Sequence, residues 1–308
     1  MNQGRLQGLV AAANTPFHED GSLNLAVVEP YAAHLLRSGV HTVFIAGSTG
    51  ESHSLSTDER RQLARRWAEV VRGTKLRLVV HVGSNCVSAA RLLAAESEKL
   101  GAAAIAALAP AYFKPRSLDM LIATLAEISS AAPRTPFYFY DIPALTNVNF
   151  SMPDLLHQAA GHLPMLAGIK FTNSDLMSYQ LCLRADAGRW DVPWGIDQSL
   201  LGALAVGATG AVGSSYNLAP KTYQRLWEAF DRGDMAAARE EQFRSVRLIE
   251  LLVRYDYMGA AKATMGMIGI PVGPVRLPLA NPDKDQLVKL RRELEALGFF
   301  DKTGNTYV

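Results

Sequence analysis

Cysteine is nearly absent: Cys86 and Cys182 are the only two among 308 residues, with neither a pairing pattern nor the spacing of metal ligands. That excludes a disulfide-built scaffold and a cysteine metal centre, and both thiols are expected to be packed side chains in a reducing compartment, the cytoplasm. Charge of one sign is also lacking. A formal net charge of +2 leaves no polyanion-binding surface, so no nucleic-acid partner is expected. No apolar run reaches membrane-spanning length, and residues 1–17 lack a basic segment followed by a long apolar one, so neither a membrane anchor nor an export signal is expected. A Gly-x-Gly-x-x-Gly turn is missing after the first apolar run at residues 9–13, which counts against a dinucleotide-binding open sheet.

What is present is apolar residue in quantity, 49% hydrophobic against 19% charged, enough for a large core in a globular chain. Strand-like runs recur at 9–13, 42–45, 76–82, 103–108, 137–140, 167–170, weakly near Trp194, and at 208–212, most of them followed by a stretch of helical periodicity. Repeated strand–helix units bury their strands in a parallel sheet with the helices outside, and eight of them favour a closed (β/α)8 TIM barrel. Ser56 with Glu59 has capping-box spacing, Ser151 with Pro153 and Asp154 opens another helix, and Gly73 ends the first. After Pro220 helical periodicity runs through 222–230 and 235–255, then a Gly/Pro-rich arm at 269–282 and a last helix near 283–297. The expected organisation is a barrel over residues 1–220, its final helix continuing to about 232, and a C-terminal helical extension over 233–308. No Ser/Gly or charge-run linker separates the extension as an independent domain.

Barrel enzymes place their chemistry at the carboxyl ends of the strands, and three strand ends carry reactive groups. The second runs into Gly47-Ser48-Thr49-Gly50-Glu51, where small residues, two adjacent hydroxyls and free amides can hold a carboxylate or phosphate; alone it is an ordinary turn. The fifth ends in Tyr140, which shares a side with Tyr138; alone it is an aromatic packing residue. The sixth ends in Lys170, thirty positions after Tyr140, the spacing that makes the two neighbours on adjacent strands. A lysine desolvated among apolar side chains loses its proton readily, and the neutral amine can attack a ketone to form a Schiff base. The iminium withdraws electrons and allows an adjacent carbon–carbon bond to break or form. That is class I aldolase chemistry, for which no metal and no cofactor beyond the substrate's own adduct on Lys170 is expected.

The combination of Gly-Ser-Thr-Gly-Glu at 47–51, Tyr-Asp-Ile-Pro-Ala-Leu at 140–145, Gly-Ile-Lys at 168–170, Gly-Ala-Val-Gly-Ser-Ser-Tyr-Asn at 210–217 and Gly-Ile-Pro-Val-Gly-Pro-Val-Arg-Leu-Pro-Leu at 269–279 resembles the N-acetylneuraminate lyase and dihydrodipicolinate synthase superfamily over nearly the whole chain. The resemblance implies a (β/α)8 barrel with a helical extension, a homotetramer built as a dimer of dimers, and a pyruvate-derived 2-oxo acid bound on Lys170. By the same resemblance Tyr140 is the proton-transfer phenol, Ser48 and Thr49 hold the substrate carboxylate with Ser48 in the proton relay, and Tyr112 is presented to a neighbouring subunit's site. The synthase branch grips a second carboxylate with an arginine where this chain has Leu145, and an apolar side chain cannot make that bidentate contact. The lyase branch fits better. There Thr172, Gly195, Asp197 and Ser214 face the hydroxyl-rich part of a sialic acid, while Gln198 stands where those lyases usually have glutamate, so an aldolase or dehydratase acting on another 2-oxo-3-deoxy sugar acid is the alternative. A non-catalytic oxo-acid binder on the same fold is the third reading.

Overall fold

In the fifth apolar run Tyr138 and Tyr140 fall in one apolar cluster, whereas Phe137 and Phe139 fall in another. This period-two sorting recurs around a parallel sheet: Val10, Phe44, Val79, Ala104, Ala106, Leu108, Tyr138, Tyr140 and Val212 point inward, and their neighbours meet the surrounding helices. The computed structural model describes residues 5–300. Its regular strands are β1 (Gly8–Ala12), β2 (Thr42–Ile45), β3 (Arg77–His81), β4 (Ala104–Leu108), β5 (Phe137–Asp141), β6 (Leu166–Phe171) and β7 (Gly210–Gly213), in the order β6-β5-β4-β3-β2-β1-β7 with every pairing parallel.

The eighth position differs from the expected strand near Trp194. It is an extended segment that bridges β6 through Asp191 and both β6 and β7 through Trp194, closing the ring. Its hydrogen bonds are in place, from Trp194 N to Gly210 O at 2.9 Å and from Val212 N to Trp194 O at 2.7 Å. Pro193 explains the irregularity: it accepts from Phe171 N at 2.9 Å but has no N–H to return, so the ladder cannot run on. Gly168 lets the segment approach, since a Cβ there would stand 1.6 Å from Asp191 O.

Helices α1 (Val28–Arg37), α2 (Thr57–Val71), α3 (Val87–Lys99), α4 (Leu118–Ser129), α5 (Pro143–Thr146), α6 (Met152–Ala159), α7 (Leu176–Arg184), α8 (Leu200–Ala205) and α9 (Pro220–Asp231) surround the barrel. The Ser56/Glu59 box that starts α2 and the Ser151 cap that starts α6 both form as their spacing predicts. Three more helices follow, α10 (Met235–Val253), α11 (Tyr257–Met267) and α12 (Lys284–Ala296). Helical periodicity at 235–255 anticipates α10, but not the separate α11. With Gly259, Ala260, Ala261, Lys262, Thr264 and Met265 all buried, α11 shows no polar face from which a period could be read. Among the described residues no helix is long and apolar enough to cross a membrane.

Candidate active site

Parallel pairing sets Tyr140 directly beside Lys170 across β5 and β6, as the thirty-residue spacing predicts. The Lys170 side chain points inward and is 4% exposed. Its ammonium lies 3.4 Å from the Tyr140 ring centroid and 5.3 Å from that of Phe44, and donates to Thr172 Oγ1 at 3.3 Å. No carboxylate lies within ion-pair distance of it among the described residues. Aromatic faces and neutral hydroxyls replace water poorly, so burial lowers the Lys170 pKa from its ordinary value, with Tyr140 and Asp197 opposing. A lysine so placed holds a larger neutral fraction than one in water and can act as a nucleophile.

The β2 loop supplies the hydroxyls. Ser48 and Thr49 are half-buried, and Ser48 Oγ lies 3.2 Å from Tyr140 Oη. The turn is closed from Glu51, whose backbone N–H donates to Ser48 O at 3.0 Å and whose φ is +53°. Glu51 and Lys262 of α11 form a fully buried ion pair at 3.0 Å. Lys262 donates also to Thr15 O and Pro274 O, while the second Glu51 oxygen accepts the Arg276 amide. Arg276 in turn grips Glu59 at the start of α2 and the Gly21 and Ser54 carbonyls. The Gly/Pro-rich arm is thereby tied to the turn that carries Ser48.

Beside Lys170 a cavity of about 370 Å³ is lined by Ile142, Thr172, Gly195, Asp197, Gln198, Ser214 and Tyr257, among others. It gathers all five sequence-predicted sugar-side residues. Asp197 is buried and accepts from Ser215 through both N–H and hydroxyl; burial raises its carboxyl pKa and those bonds oppose the rise. Gly213 is required here, because a Cβ would meet Asp197 Oδ1 at 2.0 Å. Gln198 is exposed at the rim. Ser214 bonds Tyr257 Oη at 2.7 Å, and Tyr257, at the start of α11, is a cavity residue that sequence reasoning missed with the helix that carries it.

Tyr112 is not brought to this cavity within the chain. It is 77% exposed beside Phe113 at 85%, on a loop fixed by Asn85, whose side chain accepts the Ala111 and Tyr112 amides. Leu145 projects into solvent, 65% exposed.

The sequence pattern described as the dihydrodipicolinate synthetase family matches residues 5–297. The mouse (Mus musculus) N-acetylneuraminate lyase is 39% identical over 299 residues, spanning 96% of this chain and 93% of that protein. The solved structure of Proteus mirabilis N-acetylneuraminate lyase superposes with a TM-score of 0.93 at 34% identity, covering 96% of this chain and 99% of that one. That of N-acetylneuraminate lyase (sialic acid aldolase) from Aliivibrio salmonicida gives 0.93 at 37% identity, covering 96% and 98%. With one family pattern over almost its full length, a barrel shared with these proteins, and a desolvated lysine paired in register with a tyrosine, this chain belongs to the dihydrodipicolinate synthetase family.

Proposed function

We propose that this protein is a class I aldolase that cleaves N-acetylneuraminate, or a close sialic acid relative, into pyruvate and an N-acylated amino sugar. The observation that carries the reading is the Lys170 ammonium, buried against Tyr140 with no carboxylate in ion-pair range among the described residues, beside a cavity lined by Asp197 and Ser214. Relatives bearing the lyase name at 34–39% identity point to the same branch, and the exposed Leu145 leaves no arginine at the position the synthase branch uses.

In this mechanism Lys170 Nζ adds to the substrate's ketone carbon and water leaves, giving an iminium. Tyr140 Oη takes the proton of the fourth carbon's hydroxyl, relayed through Ser48. The bond between the third and fourth carbons breaks, its electron pair passing to the iminium as an enamine, which is protonated on carbon and hydrolysed to release pyruvate. Ser48 and Thr49 hold the carboxylate, and Thr172, Gly195, Asp197, Gln198 and Ser214 face the sugar hydroxyls. Proton transfer at a positioned phenol supplies on the order of a hundredfold to ten-thousandfold. The assembly is a homotetramer in the cytoplasm, in which the exposed Tyr112 reaches a neighbouring subunit's relay.

Pyruvate release from N-acetylneuraminate, followed beside Lys170→Ala, tests the reading: rapid release abolished by the substitution is expected, and no release from wild type contradicts it. Gln198 favours one second reading, cleavage of another 2-oxo-3-deoxy sugar acid, because an amide accepts from a hydroxyl tail more weakly than a carboxylate does. A panel of sugar acids separates the two.

A further inference from the structure

His81, at the end of β3, has no place in the mechanism above, yet it is 0% exposed and touches three parts of the site. Its Nδ1 lies 2.8 Å from Ala46 O. A carbonyl oxygen only accepts, so at this short distance the proton must sit on Nδ1, and the longer 3.4 Å approach of Arg60 Nη2 to the same nitrogen is a contact between two donors rather than a hydrogen bond. Nε2 then carries the lone pair and accepts the Leu108 amide at 3.3 Å, so both ring nitrogens are occupied. The ring meets the Tyr140 ring edge to face, centroids 5.8 Å apart at 89°, and lies 6.2 Å from that of Phe44.

The Ala46 peptide is an unusual one to hold. Ala46 has φ +53°, a left-handed conformation that a residue with a Cβ rarely adopts, and it immediately precedes Gly47 and Ser48. Behind the imidazole stands Arg60 of α2, 5% exposed and with no ion pair among the described residues; it donates to His81 O at 2.7 Å and Gly83 O at 2.8 Å. An imidazolium would present a second N–H to the Leu108 amide beside that guanidinium. Burial first, then Arg60, His53 on the loop after β2 and Lys170 on β6, lower the imidazole pKa well below its usual value.

We propose that His81 is a positioning residue of the aldolase site, holding on one side the left-handed Ala46 peptide that opens the Ser48 turn and on the other the Tyr140 ring. With no ring nitrogen to spare it neither takes nor gives a proton in the reaction; it acts through Ser48 and Tyr140, fixing the 3.2 Å contact between their hydroxyls. The inference rests on the aldolase reading above.

The test compares His81→Leu with His81→Asn. The asparagine amide reaches the place of Nδ1 and can still donate to Ala46 O, whereas leucine cannot, and both lose the acceptor for Leu108. His81→Leu is expected to lower kcat for pyruvate release about tenfold to a hundredfold, the cost of a misplaced reacting group. KM should change less, and His81→Asn should recover most of kcat at a similar thermal midpoint. If His81→Leu does not fold, His81→Gln replaces it, keeping an acceptor for Leu108 without a donor at Ala46, and is expected to show the same kcat loss. Equal kcat losses in the asparagine and leucine (or glutamine) variants, or wild-type kcat without the Ala46 donor, overturn the proposal. Borohydride trapping of pyruvate on Lys170, which needs no sugar, separates this failure from failure of the underlying reading. If wild type traps pyruvate but cleaves no N-acetylneuraminate, only the sugar assignment falls, and a trapping rate slower in leucine than in asparagine supports His81 while equal rates overturn it. If wild type traps nothing, the aldolase reading and this inference fall together.

Discussion

Lys170 and Lys262 are two lysines of one chain, 4% and 1% exposed, both with pKa values lowered by burial, in the second case to about 8. They differ in what surrounds the ammonium. Lys262 donates to Glu51 and to the carbonyls of Thr15 and Pro274, so its three protons and its charge are all answered. Lys170 has, among the described residues, no carboxylate in ion-pair range and no carbonyl bond, only the Thr172 hydroxyl, the Tyr140 phenol and ring, and the Phe44 face. Burial alone therefore does not mark a reactive lysine. A satisfied ammonium ties the arm at 269–282 to the β2 turn, while an under-satisfied one at a strand end is free to give up its proton and form a bond.

The sharpest way to break this comparison is to remove each ammonium in turn. Lys170→Met is expected to abolish pyruvate release at a thermal midpoint no lower than wild type, because an uncompensated buried charge goes with it; a large loss of stability would mean that Lys170 is structural. Lys262→Met should do the reverse. It strands the buried Glu51 carboxylate and should cost about 3–5 kcal/mol in denaturant unfolding, and adding Glu51→Gln should restore much of that. A fully stable Lys262→Met would remove the distinction between the two sites.

Asp141 extends the comparison to a carboxyl. It is 2% exposed, its one side-chain hydrogen bond among the described residues a long 3.5 Å bond from Asn173, and burial raises its pKa from 3.8 to about 7. Because the folded-state value lies above the unfolded one, the folded protein holds a proton that the unfolded chain releases. This contribution to stability is complete below about pH 4 and is lost as pH rises through 7, amounting to at most about 4 kcal/mol. Unfolding curves of wild type and Asp141→Asn should therefore diverge over that window, with wild type falling behind as pH rises; parallel curves would show a carboxyl already ionised. The smallest effect is expected at the rim. Gln198→Glu should improve kcat/KM for N-acetylneuraminate by roughly fivefold to tenfold, the difference of about 1 kcal/mol between neutral and charge-assisted bonds. No change would leave Gln198 outside substrate recognition.

The parts legible in the sequence are those that obey a period or a spacing. Strand alternation fixed which face of β5 carries Tyr138 and Tyr140, and the length of one strand–helix unit put Lys170 level with Tyr140. The β2 loop was visible because small and hydroxyl residues cluster there, whereas the segment at 195–198 stood out only through its resemblance to the lyase branch. Less legible was whatever depends on contact between distant segments. Helix α11 is buried on most sides, so neither the helix nor its Tyr257 and Lys262 announced themselves. The closing strand is broken by Pro193 and held by single bridges, which period-two counting cannot register. His81 lies inside the apolar run at 76–82 and belongs to no motif, since only the fold brings Ala46, Leu108 and Tyr140 around its ring.

The most direct measurement is incubation of the protein with pyruvate and borohydride, followed by peptide mapping of the reduced adduct. A single adduct is expected, on Lys170, with Lys262 unmodified despite its own lowered pKa. An adduct on Lys262, or none on Lys170, would contradict it.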